Sequence, residues 1–388
     1  MKTERNDIPN VSLFPPLEPD IRRSLESILA LIDQVFPIPR RFRAGLPKDI
    51  AELSRLLTSN QGDRNESYLS KPSFLSGYLR YFLPWNLYRL CRLLPPLSLN
   101  VESGGTITDL GSGPLTFPLA LWISRPDLRK LPLEFRCIDR TGSVLDAGKK
   151  LFYAFAGGDA PWRIKTIRGS LENAVKGTKA DLVSAVNVFN ELFRGIPHAD
   201  QRSLTDLAGK QARILSKLTA ESGSILVVEP GVPQSGEIIT ALRGDLLLYG
   251  YAPELPCPHK GLCPFPGGGK TKWCHFAFDT RQAPPALLKL SAAAGLPKER
   301  ATLSFLLART IPEYPKKNAF PIRIVSDIFP ISSKKFRYGR YGCSGLGIIL
   351  VTGPQKTLGK HESGGVFMYT PTGQEQRDPK SGALTVVI

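Results

Sequence analysis

The spacing of apolar residues predicts helices at the start of the chain. In IRRSLESILALIDQVF, apolar side chains such as Leu25, Ile28 and Ile32 recur at steps of three and four residues, as on the buried face of an amphipathic helix. Similar patterns predict a second helix over residues 48–57 and a third over residues 74–94. Residues 1–99 are therefore predicted to form a helical N-terminal region.

From Thr106 onward, short apolar runs alternate with helical patterns. The runs that resemble buried strands ending in polar or glycine-containing turns are ITDLGSG, LEFRCIDR, RIKTIRGSL, ADLVSAVNVF and SILVVEPG. Strands that alternate with helices form parallel sheets with helical crossovers. The prediction for residues 100–250 is thus an α/β, Rossmann-like domain.

The last third of the chain is strand-like. Its apolar runs are LSFLLAR, PIRIVSDIF, GLGIILVTG and a weaker GALTVVI. Residues 251–353 are predicted to hold a cysteine-rich loop and a small β-rich C-terminal module. Residues 354–388 are predicted to form a polar tail, of which the glycine-rich residues 354–381 are expected to be partly disordered.

Interrupted apolar stretches argue against a membrane protein. The most apolar stretch, FLSGYLRYFLPWNLYRLCRLLPPL, is broken by Arg80, Pro84 and Arg89, so it lacks the ~18 uninterrupted apolar residues of a spanning helix. The N-terminus mixes acids with bases before any apolar run, unlike a signal or transit peptide. We expect a cytoplasmic protein without a membrane partner, or a mitochondrial matrix protein if the source is eukaryotic, and a monomer is favoured.

The charge distribution points to a polyanionic partner. The formal net charge is +17, and residues 256–388 hold 19 Lys and Arg against 7 Asp and Glu. Nucleic acid is the usual partner of such a chain, although a generic basic surface is the alternative. Bases alternate with aromatic residues in KKFRYGRY, so the candidate RNA contacts are Lys334, Lys335, Arg337 and Arg340.

The stretch TITDLGSGPLTFP carries a glycine turn. A strand leads into Asp109-Leu110-Gly111-Ser112-Gly113, and a helix pattern follows. Glycines at such a turn allow a tight bend and a close approach of a ligand to the backbone. Thr116 occupies the position of the third glycine of a dinucleotide fingerprint, which disfavours NAD or FAD.

The next strand ends carry polar residues in an ordered series. Asp139 ends the second strand and can accept hydrogen bonds from ribose hydroxyls, while RGSL and NVFNEL follow the next two strands. This order resembles the seven-strand class of S-adenosylmethionine-dependent methyltransferases, in which Gly169 to Leu171 would lie near the adenine. The cofactor contacts that the resemblance implies are Asp109, Gly111, Ser112, Gly113, Asp139, Arg140, Gly169, Ser170, Leu171 and Asn187.

The stretch NVFNEL would face the methyl group in that resemblance. It offers amide oxygens, a ring and a carboxylate, but it is not the N/D-P-P-Y/F motif of many amine methyltransferases. It also lacks the cysteine nucleophile that carbon-5 methylation of cytosine needs. Asn187 and Glu191 are the candidate catalytic residues, with stabilisation of a helix N-terminus as the alternative role of Glu191.

Three cysteines crowd into CPHKGLCPFPGGGKTKWCH. Clustered thiols in a long chain of this kind hold a metal more often than a disulfide, but Cys257, Cys263 and Cys274 lack zinc-ribbon spacing. Cys343 is the best-placed fourth ligand, because the other two cysteines lie in apolar helix and strand patterns. Four thiolates would fit a [4Fe–4S] cluster. Three with His259 or His275 would fit zinc, and spacing alone does not decide between them. A loop of free cysteines is the remaining alternative.

The motifs CPHKGLCP, WCHF, EPG and DLGSGP together resemble the ribosomal small-subunit methyltransferase-like family, over residues 68–351. Mitochondrial members of that family associate with the small mitoribosomal subunit. The resemblance implies a [4Fe–4S] cluster on Cys257, Cys263, Cys274 and Cys343, and small-subunit rRNA or the small ribosomal subunit as partner. An RNA methyltransferase that acts in ribosome assembly is expected. A non-catalytic assembly factor that binds rRNA is the alternative.

Overall fold

A computed structural model describes residues 12–58, 69, 71–174, 178–193, 195–196, 200–267, 272–310, 319–331 and 337–388. Within these residues the chain forms a helical N-terminal region and two β-sheets. The larger sheet has eight strands and the smaller has six.

The helical N-terminal region is confirmed. Its helices are α1 (Pro19–Val35), α2 (Arg40–Arg43), α3 (Leu46–Thr58), α4 (Pro72–Gly77) and α5 (Leu83–Leu93), and a π-helical turn (Tyr78–Phe82) joins the last two. The apolar stripe of α1 is buried, with Ile28 and Ile32 inaccessible to solvent. This stripe belongs to the core that lies beneath one face of the larger sheet.

The larger sheet has the doubly wound order of a Rossmann-like domain. Its strands are β1 (Thr106–Leu110), β2 (Leu133–Asp139), β3 (Trp162–Arg168), β4 (Ala180–Val186), β5 (Thr219–Pro230), β6 (Tyr251–Leu255), β7 (Phe276–Asp279) and β8 (Arg300–Thr310). The order is β3-β2-β1-β4-β5-β8-β6, and β7 pairs with the same edge of β8 as β6. Strands β1 to β5 are parallel, and β8 is antiparallel to its neighbours. The predicted seven-strand methyltransferase-like fold is thereby confirmed.

Helices cover both faces of this sheet, as parallel sheets require. They are α6 (Thr116–Ser124), α7 (Gly142–Ala156), α8 (Leu171–Ala174), α9 (Phe189–Leu192), α10 (Gln201–Leu218), α11 (Pro233–Leu248) and α12 (Pro285–Ala293), with a 3₁₀ turn at Leu128–Lys130. One core includes side chains of α1, α5, α6 and α7. A second core, on the other face, includes side chains of α10 and α11.

One strand lies in a different sheet from the one predicted. The run LSFLLAR was assigned to the C-terminal module, but it forms the middle of β8 and pairs with β5 and β6. Leu303, Phe305 and Leu307 face one core, and Leu306 and Ala308 face the other. A strand that is apolar on both faces belongs between two layers of helices, and the order of the sequence does not reveal its neighbours.

The β-rich C-terminal module is also confirmed. It contains β9 (Phe320–Ile324), β10 (Phe329–Pro330), β11 (Tyr338–Ser344), β12 (Gly347–Gly353), α13 (Gln355–Leu358), β13 (Val366–Tyr369) and β14 (Leu384–Val387). Its order is β13-β9-β11-β12-β14, with β10 on β11.

The expected disorder of residues 354–381 is wrong, because this segment supplies α13 and β13, and the side chain of Leu358 is buried in the core of the module. The final run GALTVVI forms β14 as predicted, and Val386 is buried in the same core. Each of these elements is four residues long. Because polar residues predominate between them, the composition of the segment does not reveal its few buried apolar residues.

Among the helices of the described residues, none combines the length and the apolar character needed to cross a membrane.

Candidate functional site

The turn after β1 brings two glycines to the carboxyl edge of the sheet. Gly111 has φ +61° and Gly113 has φ +53°, a conformation that costs other residues free energy. A Cβ at Gly111 would lie 2.5 Å from Cγ2 of Val188, whereas a Cβ at Gly113 would meet no atom within 4 Å. Gly111 is thus needed for packing against the turn after β4. Gly113 leaves its backbone open to a ligand.

Hydrogen bonds of the buried Asp109 and Ser112 stabilise this turn. The Asp109 carboxylate is buried and accepts hydrogen bonds from Ser184 Oγ (2.6 Å) and from Ser112 Oγ. Burial raises the pKa of Asp109 to about 7, against the opposing effect of the two hydroxyls. The carboxylate therefore ties β1 to β4 and holds the glycine turn in place. It does not face an external ligand directly.

Asp139 lies beside the glycine turn, at the end of β2. Its Oδ2 accepts from the Gly113 N–H (2.9 Å), and its Oδ1 accepts from the Thr141 N–H (2.9 Å). Burial raises the pKa of this carboxyl group, although the backbone donors act in the opposite direction. Arg140, the next residue, is exposed. Asp139 thus joins the turn after β1 to the start of α7.

The ends of β3 and β4 reach the same edge. The Gly169 N–H donates to the Asp139 carbonyl (3.0 Å), which places the half-buried Gly169 and Ser170 beside Asp139, and Leu171 then begins α8. Asn187 has φ +56°, and its N–H donates to the Val228 carbonyl (2.8 Å). Asparagine tolerates this left-handed conformation better than most residues. The predicted cofactor residues of four strand ends are thus brought together.

Glu229 is a residue that the sequence analysis did not assign. It ends β5 with no solvent exposure, and its carboxylate accepts hydrogen bonds from the N–H groups of Val188 (3.0 Å), Phe189 (2.8 Å) and Asn190 (3.1 Å). Burial raises its pKa to about 8. The carboxylate satisfies the free N–H groups at the start of α9, and so fixes the turn that carries Asn187 and the exposed Glu191. The only sequence signal was an acid at the end of the apolar run SILVVEPG.

Tyr78 reaches this site from the N-terminal region. It begins the π-helical turn, is half-buried and stacks on Phe82 with ring centroids 5.6 Å apart. Burial raises its pKa, and the charges of Glu191 and Asp139 act in the same direction. Its hydroxyl therefore lies within electrostatic range of both acids. Single π-helical turns occur frequently at functional sites, whereas the apolar spacing of this stretch predicts only a helix.

These strand ends surround the point where the order of the sheet reverses, between β1 and β4. In open α/β sheets, ligands bind in the crevice outside this switch point. The edge combines an open glycine turn, a carboxylate and polar groups of the turn after β4. Such a set can bind a nucleoside, with the carboxylate near the ribose and the open backbone of the glycine turn against the ligand.

The four candidate metal ligands line one cavity. Cys257, Cys263 and Cys274 lie in the loop between β6 and β7, and Cys343 lies on β11 of the smaller sheet. The cavity is partly enclosed. All six cysteines of the chain are free, and Cys91 and Cys137 are buried elsewhere. The fold therefore places the four predicted ligands around one cavity, three from the loop between β6 and β7 and one from the smaller sheet.

Two buried arginines flank the cysteine cavity. Arg243 of α11 places Nε 3.3 Å from Cys257 Sγ and donates from Nη2 to the carbonyls of His259 (3.0 Å) and Gly261 (2.6 Å). Arg323 of β9 donates to the carbonyls of Pro256 (3.1 Å) and Gly364 (2.7 Å). Burial raises the pKa of the Cys257 thiol, and the charge of Arg243 opposes that rise. Both cations can balance thiolate charge that would otherwise be costly to bury.

The histidines remain near the cavity without completing a tight metal site. His259 Nε2 lies 3.4 Å from Cys343 Sγ, while the His275 ring stacks on Trp273. Over the part of the chain that the structure describes, no three His, Cys, Asp or Glu side chains converge closely enough to hold one metal ion.

Of the predicted RNA contacts, the structure describes Arg337 and Arg340. Arg340 is buried, and it donates to the carbonyls of Leu358 (3.2 Å) and Ser326 (2.9 Å). It therefore holds β11 against α13 and is not available to phosphate, which corrects its predicted role. Arg337 is half-buried, and Lys334 and Lys335 lie outside the described residues.

Comparisons with solved structures return methyltransferases of low identity. The magnesium protoporphyrin IX methyltransferase of Synechocystis PCC 6803 with bound SAH is 12% identical, with a TM-score of 0.35 over 67% of this chain and 93% of that one. The fibrillarin of Aeropyrum pernix with S-adenosyl-L-methionine is 14% identical, with a TM-score of 0.31 over 58% and 76%. A methyltransferase of Pyrococcus furiosus is 8% identical, with a TM-score of 0.31 over 53% and 76%.

A comparison with curated proteins gives no match. Residues 121–334, which are more than half of the 388, match the family described as mitochondrial small ribosomal subunit Rsm22. The match spans the larger sheet from α6 onward, the cysteine loop and β9. The chain therefore belongs to the mitochondrial small ribosomal subunit Rsm22 family.

Proposed function

We propose that the protein binds S-adenosylmethionine at the strand-end site and transfers its methyl group to RNA of the small ribosomal subunit. The observation that carries this proposal is the convergence of Gly113, Asp139 and Asn187 at the switch point of the sheet. Each Asp139 oxygen accepts one backbone hydrogen bond, and a carboxylate oxygen can accept a second. The remaining acceptor capacity suits the two ribose hydroxyls.

The other residues have complementary roles in this proposal. Gly169, Ser170 and Leu171 would border the adenine, because they lie next to Asp139 on the adjoining strand end. When bound, S-adenosylmethionine supplies an electrophilic methyl group. Asn187 offers an amide oxygen that can orient a target amine. Glu191 offers a carboxylate that can accept the proton which a methylated nitrogen or oxygen releases.

We further propose that Cys257, Cys263, Cys274 and Cys343 hold a [4Fe–4S] cluster. All four cysteines line one cavity, and four thiolates are the usual ligands of such a cluster. The donor set and the flanking Arg243 and Arg323 fit an anionic, thiolate-ligated cluster.

The family supports the cellular context. Membership of a family described by the mitochondrial small ribosomal subunit favours small-subunit rRNA as the partner. It also favours the mitochondrial matrix over the cytoplasm, which was the first expectation from the sequence. A non-catalytic assembly factor is the alternative function, because NVFNEL departs from the motif of amine methyltransferases.

Binding and transfer of a labelled methyl group test this proposal together. Calorimetry would measure S-adenosylmethionine binding, and tritium transfer from labelled S-adenosylmethionine would be measured on immature small subunits and on naked small-subunit rRNA. We expect the wild-type chain to bind and transfer, and Asp139→Asn to bind at least about tenfold more weakly, since one charged acceptor is lost. Asp159→Asn, an exposed acid on the same domain, is the control.

The outcomes separate the two functions. Binding without transfer to either RNA substrate would overturn the enzymatic function and leave an assembly factor. Absence of binding in the wild-type chain would overturn the cofactor site itself.

A further inference from the structure

A short basic turn projects from the N-terminal region. Arg40, Arg41, Phe42 and Arg43 form α2, and all four side chains are exposed. Phe42 retains 56% of its accessible surface, so its ring is available to a partner. Residues 34–48 include four Lys and Arg and no Asp or Glu. We call residues 40–43 the basic turn.

The backbone around the basic turn is restrained. Pro37 and Pro39 fix the approach to α2. The Phe42 N–H donates to the Pro39 carbonyl (2.9 Å), and the Gly45 N–H donates to the Phe42 carbonyl (3.1 Å). Arg43 Nε donates to the Ile38 carbonyl (3.2 Å). The turn is therefore held in a defined shape before any partner binds, which lowers the entropic cost of binding.

The side chains of the basic turn combine a stacking surface with free positive charge. The Arg41 guanidinium lies 4.8 Å from the ring centroid of Phe42, so a planar cation and a ring are already paired. Within the described ranges, no carboxylate forms an ion pair with Arg40, Arg41 or Arg43. Asp33, the nearest acid before the turn, is bound to Arg80 Nε at 2.8 Å. Stacking platforms with neighbouring arginines are the usual means of holding single-stranded nucleic acid.

The basic turn is anchored to the elements that border the strand-end site. The buried Arg80 donates to the Phe36 carbonyl, four residues before the turn, and to Ser76 Oγ (2.9 Å). Tyr78, two residues before Arg80, lies in range of the charges of Asp139 and Glu191. Lys150 of α7 places its ammonium 5.5 Å from the Phe36 ring centroid, and α7 begins just after Asp139.

We propose that the basic turn binds single-stranded RNA and leads it toward the strand-end site, with a base stacked on Phe42 and phosphates held by Arg40 and Arg43. The inference rests on the proposed function only for the site to which the RNA leads. RNA is favoured over an anionic membrane because one exposed ring offers too little apolar surface for interfacial insertion. The basic turn also replaces the buried Arg340 as a source of phosphate contacts.

Equilibrium binding of a labelled RNA tests the proposal without S-adenosylmethionine. The probe is a fluorescein-labelled single-stranded RNA of mixed sequence and about 20 nucleotides, measured by anisotropy with the full chain over a salt series. We compare Arg40→Gln/Arg41→Gln/Arg43→Gln, Phe42→Ala and Phe42→Leu with the wild type. The matched control removes the same charge from exposed positions of α10, on the other face of the larger sheet: Arg202→Gln/Arg213→Gln/Lys217→Gln.

The triple substitution in the basic turn should weaken binding at least about tenfold and reduce the slope of log K against log salt by about 1.4, since each of the two proposed phosphate contacts on a single strand contributes about 0.7. Phe42→Ala should weaken binding by about tenfold through lost stacking. Phe42→Leu should weaken it equally, because leucine keeps apolar surface but has no ring. The α10 control should bind within about twofold of the wild type.

Three results would overturn the proposal. Equal weakening by the α10 control would show that only total charge matters. Wild-type affinity of both Phe42 variants would exclude stacking at the turn. Unchanged RNA binding with loss of binding to phosphatidylcholine–cardiolipin vesicles would assign the turn to a lipid surface. Thermal unfolding of each variant confirms that it is folded, and because the assay omits the cofactor, failure of methyl transfer would not affect its outcome.

Discussion

Glu229 places an ionisable group in the core and uses it to position the candidate catalytic turn. Three backbone N–H groups of residues 188–190 donate to its carboxylate. Burial raises its pKa to about 8, so folding favours its protonated form. Stability and the geometry of the site therefore depend on the same side chain.

The raised pKa of Glu229 predicts a pH dependence of stability. The contribution is fully present below the unfolded pKa of about 4.5 and is lost as pH rises toward about 8, at roughly 1.4 kcal/mol per pH unit in between. Glu229→Gln cannot ionise, so its unfolding free energy should lack this decline. Denaturant unfolding from pH 5 to 8 measures the difference between the two proteins. A constant difference across this range would contradict the prediction.

The same residue predicts an order among its variants. Glu229→Gln keeps one carbonyl oxygen for the Val188 and Phe189 N–H groups, whereas Glu229→Ala leaves all three N–H groups without an acceptor. Each buried unsatisfied group costs about 1–3 kcal/mol, so Glu229→Ala should lose at least about 3 kcal/mol of unfolding free energy. Equal losses for both variants at pH 5 would show that the hydrogen bonds to α9 are not what Glu229 contributes.

Gly111 and Gly113 both have positive φ, but only at Gly111 would a side chain also clash with a neighbour. Gly111→Ala adds a clash with Val188 to the cost of positive φ, so it should destabilise by about 2–4 kcal/mol. Gly113→Ala should cost about 1 kcal/mol, because its Cβ meets open space, but it should weaken S-adenosylmethionine binding. Val188→Ala should partly rescue Gly111→Ala in a double-mutant cycle by thermal unfolding. Absence of any rescue would place the clash elsewhere.

At the scale of elements, the cysteine loop contacts the connection between β5 and α11. Trp273 Nε1 donates to the Gly231 carbonyl (3.3 Å), and a Cβ at Gly236 would lie 2.7 Å from Trp273 Cβ. Ser304 Oγ of β8 also donates to the Cys274 carbonyl (2.8 Å). Gly231 is two residues beyond Glu229, so the loop and the candidate catalytic turn share one short connection.

This shared connection predicts that packing of the cysteine loop is transmitted to α9. Gly236→Ala would displace the Trp273 ring, whereas Trp273→Phe keeps a ring and loses one hydrogen bond, worth about 1 kcal/mol. Gly236→Ala should therefore speed amide hydrogen exchange in residues 187–192 more than Trp273→Phe does. Gly244→Ala, on the same helix with no atom near its Cβ, is the control. Unchanged exchange at 187–192 in Gly236→Ala would contradict the coupling.

Sequence patterns predicted the helices and strands themselves better than they predicted which elements pack or pair with one another. The periodicity of α1 and the apolar runs of β1 to β5 reveal burial directly, because one or both faces must be apolar. The position of β8 beside β5 depends on paired residues more than 70 positions apart, which local pattern does not encode. Arg340 illustrates the same limit for a residue: an alternation of bases and aromatics resembles a surface strand, although the guanidinium is satisfied internally by two carbonyls.

The candidate sites followed the same rule. The glycine turn and Asp139 could be predicted because glycines indicate a special backbone geometry, and a polar residue after an apolar run indicates the end of a strand. The grouping of four cysteines could be proposed from residue type and elimination. Glu229 and Arg243 could not, since each contacts backbone or thiol groups that are distant in sequence. Tyr78 could not either, because its nearness to the charges of Asp139 and Glu191 is known only from the folded chain.

At the scale of the whole molecule, the cysteine cavity is a junction between two sheets with separate cores. Three cysteines belong to the loop between β6 and β7, and Cys343 belongs to β11. Arg323 of β9 reinforces this junction through the Pro256 carbonyl. A group bound by all four thiolates would therefore fasten the smaller sheet to the larger one, and its binding free energy would count toward folding.

Loss of that group should release the smaller sheet. Anaerobically purified protein should contain about four iron and four acid-labile sulfide per chain, and Cys343→Ala should lose both, with proteolysis appearing first within residues 319–388. Cys91→Ala, which removes a buried thiol outside the cavity, should keep the metal and the protection because no ligand is lost. One zinc per chain without sulfide would exclude the cluster and indicate a zinc site completed by His259. Full iron content in Cys343→Ala would instead show that Cys343 is not a ligand. The bound group would then not connect the two sheets, and its loss would not be expected to release the smaller one.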